Sequence, residues 1–326
     1  EQQHSPLFSL FSVFSIRSST SFVLCSAVII YPHGVFVKLF FEKFSFVLTK
    51  RDRSAIIKKK LKGVPIMKYG VCCPFDRADV VGKYNYSYIE PSLNYLAGLS
   101  DEKFAQAEKT LSDLGIRAEA FNCFFGGAVR FFGDEPKEKL LAGISEYAKR
   151  AGERAARLGG ELLVLGSGGA RKYPAEVGKE AATDRFCEVL RTCADAVSGY
   201  GIKIGIEPLN IKETNLVNSV SEAAAICRAM ADSRIGITAD FYHMYMADEA
   251  PETLAAFGDM IFHLHLARAN EDRCMPIGEG DRRYLDRCID SAAKAGYDGR
   301  MSLEGNFGGD FAATVGKMSV LLGLTE

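Results

Sequence analysis

From residue 67 onward, short apolar runs alternate with longer amphipathic stretches eight times. The apolar runs lie at 69–73, 88–91, 117–122, 162–165, 203–207, 235–240, 261–266 and 300–304. Between them, 101–114 follows Ser100 as a cap and stops at Gly115, and the Ala-rich 137–158 ends in Gly159-Gly160. The stretch 179–198 ends before Gly199, and Ser219 or Ser221 caps 221–231. Capping polar residues before an apolar-periodic run and glycine after it are helix boundaries. Further helices are expected over 251–257, 281–295 and 310–322. Strands that alternate with helices imply βαβ units and a parallel sheet. Eight such units in about 260 residues match an α/β (β/α)8 TIM barrel in a single domain. A doubly wound sheet would instead carry a glycine-rich turn after its first strand. Here that strand runs into Cys73-Pro74-Phe75-Asp76.

The first 66 residues break this pattern. They hold nine of the 22 phenylalanines, many serines, only Ala27 and Ala55 as alanines, and no methionine. The apolar pieces 22–30 and 35–41 are separated by Pro32, His33 and Gly34. Neither reaches the roughly 20 residues of a membrane helix, and a signal peptide would place its apolar region nearer the start and end in a small-residue cleavage site. Residues 1–66 are therefore read as an extension that is disordered or translated from sequence upstream of a start at Met67. The catalytic barrel is read as 67–326.

Charge and cysteine content narrow the partners. Residues 1–66 carry ten Lys/Arg and three Asp/Glu, a net of +7, so a total of −1 leaves −8 on the remainder. An acidic body does not suit a nucleic-acid binder. The nine cysteines are odd in number and show no metal-finger spacing, which reads as reduced thiols in a cytoplasmic protein. No nucleic acid and no membrane are expected as partners.

TIM barrels place their chemistry at the C-terminal ends of strands. The last four candidate strands end in Glu207, Asp240, His265 and Glu304. Around one mouth, three unpaired carboxylates would repel one another, and a divalent cation removes that conflict. Three carboxylates and one imidazole favour Mn2+, Co2+ or Mg2+ over thiolate-bound zinc. His263 lies on the same strand face as His265, a layer deeper, and reads as a packed histidine behind the site. Glu90 ends the second strand as a substrate contact or a structural residue. The Gly166–Arg171 loop is a tight turn, or its backbone N–H groups and Arg171 hold an anion such as a sugar phosphate.

The segments Ile206-Glu207-Pro208-Leu209-Asn210, Asp240-Phe241-Tyr242-His243-Met244, His263-Leu264-His265 and Leu303-Glu304 resemble the xylose isomerase-like TIM barrel superfamily. Within it they are most similar to the D-tagatose and D-psicose 3-epimerases, over Met67 to about Leu324. The resemblance implies a divalent-metal-dependent isomerase of carbohydrate metabolism, with manganese foremost, that epimerises a ketose through an enediolate. It implies that Glu207, Asp240, His265 and Glu304 ligate the metal and that Glu207 and Glu304 also act as the acid/base pair. It also implies that Glu213 and His243 contact the sugar and that the protein is a homodimer or homotetramer. The family's arginine after the metal histidine is carried to Arg273, with Arg268 as the alternative, because Glu271-Asp272 intervene after Asn270. The chain has no tryptophan, so a hydrophobic wall against the sugar comes from Phe or Tyr, such as Phe75, Phe124 or Phe125. An inosose dehydratase-type lyase and a hydroxypyruvate or sugar-phosphate isomerase are alternatives on the same site. An endonuclease of the same barrel type would need more histidines than His243, His263 and His265.

Overall fold

The computed structural model describes residues 67–326; the readings of 1–66 lie outside the described residues. The strands are β1 (Lys68–Cys72), β2 (Tyr88–Glu90), β3 (Arg117–Ala118), β4 (Ala120–Phe121), β5 (Leu162–Leu165), β6 (Lys203–Ile206), β7 (Ile235–Asp240), β8 (Ile261–Leu266) and β9 (Arg300–Leu303). They form one parallel sheet in the order β3-β2-β1-β9-β8-β7-β6-β5-β4. The two end strands are consecutive pieces of one chain segment, so the ladder runs round almost to its own start. This is a TIM barrel of eight staves, the third of them split.

The split corrects the reading of 117–122 as one strand. Arg117–Ala118 pairs only with β2 and Ala120–Phe121 only with β5. Glu119 lies between them, its carboxylate held by Lys68 at 3.0 Å and Arg300 at 2.7 Å. Its carbonyl accepts from the Glu161 N–H at 2.9 Å. β5 and β7 are buried at every position, as expected of parallel strands covered by helices.

The helices are α1 (Ala78–Lys83), α2 (Leu93–Gly98), α3 (Asp101–Leu114), α4 (Lys137–Arg157), α5 (Gly168–Arg171), α6 (Lys179–Val197), α7 (Val220–Met230), α8 (Phe241–Met246), α9 (Arg282–Lys294) and α10 (Phe311–Leu321). The Ser100 hydroxyl accepts from the Lys103 N–H, and Gly115 closes α3 at φ 63°, the left-handed conformation that glycine adopts without penalty. Ser219, not Ser221, caps α7. On α4 the buried Leu140, Ile144, Ala148, Ala151 and Ala155 recur every three or four residues. Each such leucine or isoleucine contributes roughly 1.5–3 kcal/mol by burial. The helix expected over 251–257 is a 3-10 turn, Pro251–Ala256: the link between α8 and β8 is short, and i to i+3 bonds such as Phe257 N–H to Leu254 O use less chain. The short helices α1, α2, α5 and α8 carry too little periodicity in one to two turns to be read from the sequence.

Tyr88, Ala120, Leu162 and Val164 form a separate apolar cluster with Phe262 packed against it. Of their strands only β4 and β5 are neighbours; β2, β5 and β8 do not pair with one another, so these side chains meet across the barrel interior. Gly70 makes this possible: a Cβ there would lie 2.3 Å from the Tyr88 ring. The interior is thus plugged below its mouth. Among the described residues no helix is long and apolar enough to cross a membrane, and the cysteines from Cys72 to Cys288 are unpaired.

Candidate active site

The four strand ends converge as expected. Asp240 closes β7 and His265 lies near the end of β8, while Glu207 and Glu304 are the first residues past β6 and β9. One ligand atom from each lies within 4.8 Å of the others. A shift in pairing contributes to this. Ile237 pairs with Ile261, but Thr238 pairs with His263, so Phe262 is an extra residue and Asp240 comes level with His265. Without that shift Asp240 would face Leu264, on the side of the sheet opposite His265.

His265 Nδ1 is 2.9 Å from Glu207 Oε1 and 2.7 Å from Glu304 Oε2. Asp240 Oδ1 accepts from the Tyr242 N–H at 2.7 Å and caps α8. Arg273 Nη2 donates to Asp240 Oδ2 and, at 2.7 Å, to Glu304 Oε2. Asn122 Nδ2 donates to Glu304 Oε1 at 3.2 Å. Burial raises the Glu207 carboxyl above its usual range, and the Glu304 charge adds to this. Burial acts on Glu304 too, but His265 and Arg273 outweigh it and hold its carboxyl down. Burial opposes the charge on Arg273, and Asp240 and Glu304 overcome it.

These residues fit a divalent cation. The donor set is three carboxylate oxygens and one imidazole nitrogen, a mostly hard set. A cationic group, Arg273, already bridges two of them, so the spot accepts positive charge. His243 adds a directional donor. Its Nδ1 accepts from the Asn210 N–H at 3.2 Å, which leaves the proton on Nε2. That N–H is buried and has no hydrogen-bond partner among the described residues, 3.7 Å from Asp240 Oδ2. Glu213 lies on the other side of the ring, 4.0 Å from Nδ1, half exposed, and accepts from Asn210 Nδ2 at 2.9 Å.

A cavity of about 600 Å³ opens next to the cluster, lined by Cys72, Tyr95, Asn122, Arg273, Glu304 and Asn306 among others. Several expectations change here. Arg273, not Arg268, reaches the site; Arg268 faces Asp272 and Asp281 instead. Arg273 is held at φ 51°, and its carbonyl sits where a Cβ on Gly305 would come within 2.2 Å. Arg171 is fully buried and donates to the carbonyls of Leu165, Glu207 and Val217. It ties the end of β5 to the segments after β6, and its guanidinium is held inward, away from the mouth. Phe124 and Phe125 pack with Tyr147 in the core, and Phe75 is also buried; the exposed ring at the cavity is Tyr95. The strand-end rule that picks out the four converging residues applies equally to Asn122, which the sequence reading did not single out.

A family model described as "Xylose isomerase-like TIM barrel" matches residues 78–314. A D-psicose 3-epimerase from Agrobacterium fabrum is 24% identical over 202 residues, covering 58% of this chain and 66% of that protein. A ketose 3-epimerase from Arthrobacter globiformis is 31% identical over 118 residues, 34% of this chain and 37% of its own length. A solved D-psicose 3-epimerase, crystallised in the presence of D-fructose, superposes with a TM-score of 0.67 at 18% identity, over 79% of this chain and 97% of that one. At that identity the superposition shows the fold.

Proposed function

The chain belongs to the xylose isomerase-like TIM barrel family, and from that premise we propose that it is a sugar epimerase, specifically a ketose 3-epimerase acting on an uncharged sugar with one divalent cation, Mn2+ foremost. The observation that carries this reading is the meeting of Glu207, Asp240, His265 and Glu304 within 4.8 Å beside a sugar-sized cavity. The names of the two curated relatives support it. Among the described residues the arginine at the cavity is Arg273, already committed to Asp240 and Glu304, and Arg171 is turned inward. That charge pattern favours a neutral hydroxyl-rich ligand over a phosphate.

A cation held by the four residues would supply positive charge to polarise a ketose carbonyl and a neighbouring hydroxyl. The chain's own groups do the rest. A carboxylate of Glu207 or Glu304 takes the proton from C3, and the other returns one to the opposite face, so the centre inverts with no atom gained or lost. His243 Nε2–H donates to a sugar oxygen and Arg273 orients a hydroxyl. The Tyr88–Phe262 plug closes the barrel interior beneath the site.

The test is to strip metal from the full chain, restore Mn2+, Co2+ or Mg2+, and incubate fructose, psicose, tagatose, sorbose, xylulose and their phosphates in D2O. Deuterium at C3 with an epimeric product, only with metal, is the expected result. Exchange at C1 or C2 with an aldose would make the enzyme an isomerase. Loss of water would make it a lyase, and turnover of phosphates alone would overturn the charge argument.

A further inference from the structure

Glu90 closes β2, three strands away from β8 around the barrel, yet its carboxylate reaches across to both histidines there. Its Oε1 is 2.9 Å from His265 Nε2. Its Oε2 is 2.8 Å from His263 Nε2 and accepts from the Ser302 hydroxyl at 2.5 Å. Tyr88 OH lies 2.8 Å from the same hydroxyl. Glu90, His263, His265, Ser302 and Tyr88 are all fully buried. A carboxylate deep in a barrel is costly unless fully paired, and this one is anchored through both oxygens.

That anchoring has a directional effect. A carboxylate oxygen can only accept, so His265 Nε2 must carry its proton. The one His265 nitrogen left to offer a lone pair is Nδ1, which faces Glu207 and Glu304. His263 and Ser302 fix the second oxygen, so Glu90 cannot rotate to release the imidazole. We infer that Glu90 is a positioning residue: held by His263 and Ser302, it sets the tautomer and orientation of His265 so that Nδ1 is presented to the cation. This inference rests on the metal reading above. Carboxylates that hold the far nitrogen of a metal-binding histidine typically contribute 10–100-fold to metal affinity.

The experiment is Mn2+ titration by calorimetry of the full-length wild type and Glu90→Gln, with folding checked by circular dichroism and bound metal counted by mass spectrometry. The glutamine keeps the volume but can accept through only one of its two terminal atoms. Wild type is expected to bind one Mn2+, and Glu90→Gln to bind it 10–100-fold more weakly. Excess Mn2+ should recover most of the lost turnover, which it would not do if the substitution had merely damaged the core. If Glu90→Gln does not fold, Ser302→Ala decides: Mn2+ affinity at least about threefold weaker supports the inference, and unchanged affinity overturns it. A wild type that binds Mn2+ beside an equally tight Glu90→Gln removes the role of Glu90 alone. A wild type that binds no divalent metal removes the metal reading and this inference together. Two metals in wild type and one in Glu90→Gln would make Glu90 a ligand and overturn the positioning role.

Discussion

A single methyl group at Gly166 tests whether the position of Glu207 matters for chemistry. Gly166 follows β5, and a Cβ built there would lie 2.2 Å from Glu207 Oε2, where ordinary contact begins at 3.4 Å. Glu207 must therefore move by about 1 Å. It has little freedom, because it is buried and its Oε1 is bonded to His265 Nδ1. Displacement of a reacting group by 1 Å costs on the order of 10²-fold in rate, or about 2.7 kcal/mol. Gly166 has no positive φ, so the backbone accepts alanine, and lost unfolded-state entropy offsets strain by about 0.4–1 kcal/mol. Gly166→Ala should then fall about 100-fold in kcat/KM and bind Mn2+ more weakly, with its melting temperature nearly unchanged. Gly169→Ala, three residues on, is the control, since a Cβ there meets nothing within 4 Å. Full activity in Gly166→Ala would refute the reasoning, because it would mean that the carboxylate need not stand where β6 places it.

Other outcomes follow from the same geometry. Glu207→Gln and Glu304→Gln should each lose roughly 10²–10⁴-fold in C3 deuterium exchange, read by NMR, while remaining folded; exchange at the wild-type rate in either would remove that residue from the proton path. Arg171→Met leaves the Glu207 carbonyl without its donor, while the Leu165 and Val217 carbonyls keep the N–H groups of Glu207 and Leu209. It should destabilise the fold by about 1–3 kcal/mol. A raised KM with an unchanged melting temperature would instead return Arg171 to the substrate. Burial raises the Glu119 carboxyl, but bonds from Arg300 and Lys68 outweigh it and lower it below its usual 4.5. Its stabilisation is therefore complete above that value and lost as pH falls below it; acid melts of Glu119→Gln should show a shallower loss, and identical curves would exclude the effect. Chelation should lower the melting temperature, since Mn2+ at 100 times its Kd adds about 2.7 kcal/mol; melting unaffected by metal would argue against a site in the folded state.

The barrel and its four strand-end side chains were legible along the chain because both rest on local periodicity. β5 and β7 are continuous apolar runs, α3 opens on Ser100 and closes on Gly115, and Glu207, Asp240, His265 and Glu304 each follow such a run. Other features have no local signature. The pairing shift at Phe262 that brings Asp240 level with His265 depends on two strands at once. The choice of Arg273 over Arg268 depends on a backbone held at φ 51° against Gly305, and the inward turn of Arg171 depends on carbonyls 36 and 46 residues downstream as well as that of Leu165 in the preceding strand. Glu90 reads as an isolated strand-end carboxylate until closure of the barrel brings it to His263, 173 residues away. Local patterning determined which residues could serve; barrel closure decided which of them meet, because hydrogen-bond partners across a closed sheet are set by stagger and register rather than by sequence distance.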